Sequence, residues 1–172
     1  SNLRLDVVMF GCSINLHSKV QRWAEALRLA SEMQFRALQA NVITYNATIS
    51  ACERGQLWEL SVNLLSEMRQ SSLQPNVKSY TSSISTCSKG RRWREGVHML
   101  ADMRSHSVEP DVAAYNAAIG ACSSGSQWQH ACNVFVNLQQ QLLRPDLITY
   151  SALTGALQQG QHWELVLQLL AG

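Results

Sequence analysis

The 172-residue chain holds only 3 prolines and 9 glycines. That is few for an all-β protein, whose many turns draw on both, and it suits a helical chain. No apolar run approaches the ~20 residues of a membrane span. Charge of one sign is scarce too: 14 Lys and Arg against 12 Asp and Glu leave +2. A nucleic-acid binder usually carries a stronger basic excess, although a few cations on one face can suffice. Five cysteines are an odd number in a chain too large to need staples, which points to a reducing compartment. His17, His98, His106, His130 and His162 form no His-x3-His pair, and there is no Cys-x2-Cys, phosphate loop or acidic cluster. No catalytic role, metal or cofactor is therefore expected. Residues 1–4 lead almost directly into a helix, with no visible targeting signal.

What is abundant is repetition. Tyr45, Tyr80, Tyr115 and Tyr150 are spaced by 35, with Phe10 one period earlier. Trp23, Trp58, Trp93, Trp128 and Trp163 keep the same period and account for all five tryptophans. Cys52, Cys87 and Cys122 form a third series, with His17 in the preceding place. Met33, Met68 and Met103 form a fourth, with Leu138 standing in, and Pro75, Pro110 and Pro145 a fifth, with Ala40 standing in. Self-similarity at such a period marks a stacked-repeat architecture. The units are residues 7–41, 42–76, 77–111, 112–146 and a truncated 147–172. No insertion breaks the register, so a single domain over 1–172 is expected.

Each unit contains two helical patterns. In the second unit, Val42, Tyr45, Ile49 and Cys52 make the first apolar stripe, and Trp58, Val62, Leu65 and Met68 the second. A polar break at Gly55-Gln56 separates them, and Pro75 stops the second. Asn76, Asp111 and Asp146 follow the prolines, where a side-chain oxygen can cap the next helix. Helices of ~12 residues cannot bury their stripes alone, so neighbours must stack. The fold class expected is all-α, a solenoid of helix-turn-helix repeats wound as a right-handed superhelix. The tryptophans are expected to bury ~150–250 Å² each in the packing between helices, and the cysteines to act as small buried hydrophobes. The final stretch, residues 163–170, has an apolar face that another repeat, another chain or a second copy is expected to cover.

The 35-residue period, the Tyr followed by Asn, Thr or Ser, and the Pro followed by Asn or Asp resemble the pentatricopeptide repeat in its P-type form. Residues 42–52 and 64–68 resemble its two helices, and the Trp opening each second helix resembles algal members. The resemblance implies binding to single-stranded RNA in a chloroplast or mitochondrion, at about one base per repeat, in support of RNA processing, stability or translation. It assigns base recognition to the residue after the Tyr and the last residue of the same repeat. Here these are Asn46 with Asn76, Thr81 with Asp111, and Asn116 with Asp146; Ser151 stands alone, and Gly11 precedes Asn41 without a side chain to read with. The family's code then implies a pyrimidine, C before U, followed by G and U. The resemblance further assigns base sandwiching to Val8, Ile43, Lys78, Ala113 and Ile148, and phosphate contact to Lys19, Arg54 and Lys89. Lys78 and Ala113 depart from the usual Val or Ile, and Ser124 and Gln159 replace the cation in later repeats. A protein-binding structural solenoid, such as a subunit of a large organellar complex, is the alternative.

Overall fold

Helix starts repeat in the register of the sequence. The computed structural model describes residues 2–20 and 22–160, with side chains from Val7 onward. Among these residues it contains nine α-helices and no strand. They are α1 (Asn2–Lys19), α2 (Trp23–Phe35), α3 (Val42–Gly55), α4 (Trp58–Gln70), α5 (Val77–Lys89), α6 (Trp93–Ser105), α7 (Val112–Ser124), α8 (Trp128–Gln140) and α9 (Leu147–Gln159). The stretch 163–170, with its expected apolar face, and His162 lie outside the described residues. Two compact units are present, residues 1–86 and 87–172, divided within α5.

Local chemistry sets the boundaries. Asn41, Asp111 and Asp146 stand in extended backbone just before α3, α7 and α9, and each accepts the backbone N–H three residues on. Asn76 does the same for Ser79 ahead of α5. Each bond satisfies one of the amides a helix start leaves orphaned, worth about 1 kcal/mol. After both helices of a repeat the chain turns through one left-handed residue. Gln56, Arg91 and Ser126 serve after first helices, and Ala37, Ser72, Ser107 and Leu142 after second ones. Their neighbours close the helix ends, as in Leu73 N–H to the Met68 carbonyl (2.9 Å) and Leu57 N–H to the Cys52 carbonyl (2.9 Å). No described glycine has positive φ. Gly55, read from the sequence as part of the break, is the last residue of α3, and Gln56 makes the turn.

In the first unit, α1 packs on α2 and α3, and α3 on α2 and α4. Ile14, Ala26, Ala47 and Ala51 form its seam, with Leu27, Leu29 and Ala30 against them. Met33 and Met68 are buried at the far ends of α2 and α4. In the second unit, α7 packs on α6, α8 and α9. Met103, Tyr115, Ala118, Ile119, Cys122 and Leu138 are fully buried there. Sealing each large side chain contributes about 1.5–3 kcal/mol. First helices approach closely because small residues face each other. A methyl on Gly11 would meet Thr44 Oγ1 at 3.4 Å, and one on Gly155 would meet Ser123 Oγ at 3.4 Å.

The described tryptophans are mostly, not fully, covered. Trp23 keeps 37% of its surface exposed, and Trp58, Trp93 and Trp128 are half-buried. The ring lies over the end of the next first helix, where the chain supplies a glycine to receive it. A Cβ on Gly55 would stand 2.8 Å from Trp23 Cε3, and one on Gly125 2.5 Å from Trp93 Cδ1. On Trp93, the His130 ring packs tilted at 51° with centroids 4.5 Å apart, and Arg94 lies 5.2 Å from the ring centre. The cysteine series is buried as expected, and burial pushes the Cys52 thiol up to about 12 and those of Cys87 and Cys122 to about 11. His17 is half-buried on α1, its Nδ1 2.8 Å from the Ser13 carbonyl.

Candidate functional site

The polar residues singled out in the sequence converge at the first turns of first helices. In the first unit, Asn46 in α3 and Asn76 before α5 meet across the seam between repeats. Asn46 Nδ2 donates to Asn76 Oδ1 (3.4 Å). The same Oδ1 accepts the Ser79 backbone N–H (3.1 Å), which fixes it as the oxygen of the amide. The Asn76 Nδ2 group takes no part in either bond, and Asn76 is exposed. Asn46 Oδ1 in turn accepts the Ser79 hydroxyl at 2.6 Å.

The second unit repeats this arrangement. Asn116 Nδ2 donates to Asp146 Oδ1 (3.0 Å), which also accepts Thr149 N–H (2.8 Å). Thr149 Oγ1 lies 2.6 Å from Asn116 Oδ1 and 2.8 Å from Asp146 Oδ1, and it accepts the Asp146 N–H at 3.1 Å. These bonds to the carboxylate fall on Oδ1; Oδ2 receives none of them. The Thr149 backbone N–H and the Asn116 amide hold the Asp146 carboxyl below the usual carboxylate range.

The cap thus uses one polar atom of each side chain and leaves the other outside these bonds. In Asn76, with Oδ1 spent on the cap, the remaining polar group is an NH2 donor. In Asp146 it is the Oδ2 acceptor. Asn46 and Asn116 each keep one amide N–H beyond the one donated across the seam. The Asn46–Asn76 pair therefore offers donors, and the Asn116–Asp146 pair offers a donor beside an acceptor.

The remaining candidates occupy matching places. Asp111 caps α7 through Ala114 N–H (2.8 Å) and is exposed. Thr81 is half-buried in α5; its Oγ1 is shielded from water and has no hydrogen-bond partner among the described residues. Ser151 is exposed in α9. Val8, Ile43 and Ile148 are 59%, 68% and 64% exposed. Lys78 and Ala113 are exposed in the corresponding places, as are Lys19, Arg54 and Lys89 at the ends of α1, α3 and α5.

Ser79 and Thr149, the hydroxyls between each cap and the asparagine of the previous repeat, are not singled out by the sequence pattern. Their signal is a spacing of 33 from Asn46 and Asn116, which is legible only once the repeats are known to stack in register. Elsewhere, no group of three or more His, Cys, Asp or Glu among the described residues could hold a metal. No helix among them is long and apolar enough to cross a membrane.

Comparison with known proteins follows the same lines. No curated protein matches the chain by sequence. Solved structures do. The pentatricopeptide repeat protein PPR10, known from maize, was crystallised with an 18-nt psaJ RNA element; it is 25% identical over 96% of this chain, with a TM-score of 0.81. This chain spans 24% of its length. The PPR domain of the Arabidopsis thaliana protein-only RNase P 1, crystallised with tRNA, shares the fold at a TM-score of 0.82 and 16% identity, covering 96% of this chain and 88% of that one. The A. thaliana nuclear proteinaceous RNase P 2 shares it at 0.76 and 14% identity, covering 88% and 34%. A model described as the PPR repeat family matches residues 5–54 and 40–89, and one described as the pentatricopeptide repeat domain matches 98–159. An all-α helical-repeat solenoid whose helices start every 35 residues, matched by these models over most of its length, belongs to the pentatricopeptide repeat family.

Proposed function

We propose that the repeats 7–41, 42–76, 77–111, 112–146 and 147–172 act as one array that binds single-stranded RNA with base selectivity. The observation that carries this is the division of labour in Asn76 and Asp146, where one atom caps the next helix and the other is left for a base edge. The donors left by Asn46 and Asn76 match cytosine, whose N3 and O2 both accept. The donor and acceptor left by Asn116 and Asp146 match uracil, which offers N3–H between two carbonyls. For the middle repeat the family's code pairs Thr81 with Asp111 and assigns guanine, which accepts at O6 and donates at N1–H. The RNA-bound PPR10 relative supports the same reading. The exposed Val8, Ile43 and Ile148 supply apolar surfaces for base faces, with Lys78 and Ala113 in the same role in the middle repeats, and Lys19, Arg54 and Lys89 supply charge for phosphates.

The role assigned to these repeats is binding, in support of organellar RNA processing, stability or translation in a chloroplast or mitochondrion. Three reading pairs give modest affinity once ordering is subtracted, so further repeats or a partner are part of this reading. Fluorescence anisotropy of the full protein tests it. RNA containing C-G-U is expected to bind more tightly than a scrambled sequence, with affinity falling as salt rises. Asn116→Thr is expected to move the third preference from U toward G; an unchanged preference removes that repeat from the reading.

A protein-binding solenoid is the second reading. It is favoured by a 190 Å³ cleft between α6 and α8, lined by Val97, Leu100, Arg104, His130 and Val134 among others, where His130 Nδ1 is buried without a partner among the described residues. Absence of base preference together with a co-purifying protein would support it.

A further inference from the structure

We propose that Ser79 and Thr149 are specificity-determining positioning residues, which make Asn46 and Asn116 pure hydrogen-bond donors toward a bound base. The inference rests on the base-reading role proposed above for the two asparagines.

A carboxamide is ambivalent: its oxygen accepts and its nitrogen donates, so a free Asn can satisfy almost any base edge. Selectivity requires that one half be taken out of use. In both units the oxygen is the half that is engaged. Ser79 Oγ and Asn46 Oδ1 are 2.6 Å apart, and Thr149 Oγ1 and Asn116 Oδ1 are also 2.6 Å apart. The same short bond, built independently at two seams, is the shortest contact of each hydroxyl. A hydroxyl has one proton, and its lone pairs here already receive the cap N–H of Asn76 or Asp146 at 3.1 Å. The proton has two acceptors in reach, the asparagine oxygen at 2.6 Å and the cap Oδ1 at 3.1 Å from Ser79 and 2.8 Å from Thr149, and the shorter contact takes it. What remains toward a base is N–H alone.

Both asparagines have a hydroxyl at this place. The hydroxyl sits 33 residues after Asn46 and Asn116; the place 33 after Thr81 holds Ala114, which has no polar side chain. Thr44 holds that place after Gly11, where there is no carboxamide to engage, and its hydroxyl bonds Asn41 Oδ1 instead (3.0 Å). Removing the hydroxyl frees the asparagine oxygen to accept N–H from adenine, guanine or cytosine. The loss is then one of discrimination more than of affinity.

The test is anisotropy on the full protein with RNAs that differ only at the base facing the Asn116–Asp146 step, comparing wild type, Thr149→Ala and Thr149→Ser, with thermal melts alongside. Wild type is expected to prefer U. Thr149→Ala is expected to shrink that preference roughly fivefold, the worth of one hydrogen bond, while U itself binds within about threefold of wild type. Thr149→Ser, which restores a hydroxyl, is expected to recover the preference. Should Thr149→Ala not fold, Ser79→Ala and Ser79→Thr provide the same comparison at Asn46. An undiminished preference in a folded alanine variant overturns the positioning role and leaves base reading intact. A wild-type protein that prefers no base at this step removes the base-reading role, and the positioning role with it.

Discussion

Asp146→Asn isolates the atom on which uracil selection is argued to depend. The substitution is isosteric. Oδ1 can keep accepting Thr149 N–H and the Asn116 amide, at 2.8 and 3.0 Å in the native chain, so the start of α9 is retained. Asp and Asn are nearly equal as caps, which limits the change in folding stability to a few tenths of a kcal/mol. What changes is Oδ2, which becomes an NH2 group. Against uracil, N3–H then faces a donor, an unmade bond costing about 1–3 kcal/mol. Against cytosine, the same NH2 finds the N3 acceptor. The ratio of U to C binding is expected to swing toward C by about tenfold to a hundredfold, since 1.4 kcal/mol is a factor of ten. Anisotropy with paired RNAs that differ at that base reads this directly, and a melt confirms that the fold is kept. If the variant folds and still prefers U, Oδ2 does not meet the base and the separation of capping from reading is wrong.

Other consequences follow from the same structure. Because its hydrogen bonds depress the Asp146 carboxyl, the cap's contribution is fully present above the ordinary carboxylate range and is lost only as pH falls through the lowered value. U preference at this step is accordingly expected to hold between about pH 7.5 and 5.5, and a loss within that window would contradict the assignment. Gly125→Ala places a methyl against Trp93 and should destabilise the second unit by about 1–3 kcal/mol in thermal unfolding, with Gly125→Ala/Trp93→Leu recovering part of it. Thiol labelling near pH 8 should modify exposed Cys12 first, while Cys52, Cys87 and Cys122, raised to about 11–12, react only on unfolding. Rapid native-state labelling of Cys87 would refute the burial described for it.

Much of this architecture was legible because 35-residue spacing and helical stripes reinforce each other. Met68, Cys52 and Tyr80 are buried where their series place them. The caps at Asn76, Asp111 and Asp146 follow from one residue type in one place. What the sequence does not show is the surface that receives Trp23 and Trp93, a glycine 32 residues away and outside any local period. The same is true of Ser79 and Thr149. A serine or threonine three residues into a helix reads as a local capping partner, and only the stacked neighbour reveals that its proton goes to Asn46 or Asn116. The left-handed turns at Gln56, Arg91 and Ser126 were hidden for another reason: glycine is favoured there, but it is not required.

The most direct test of the central claim is selection from a randomised single-stranded RNA pool by the full protein, sequenced after binding at moderate salt. The account predicts enrichment of C-G-U, with C giving way to U before any purine at the first step. A pool recovered with no triplet preference, or with purines facing both asparagine steps, would contradict it.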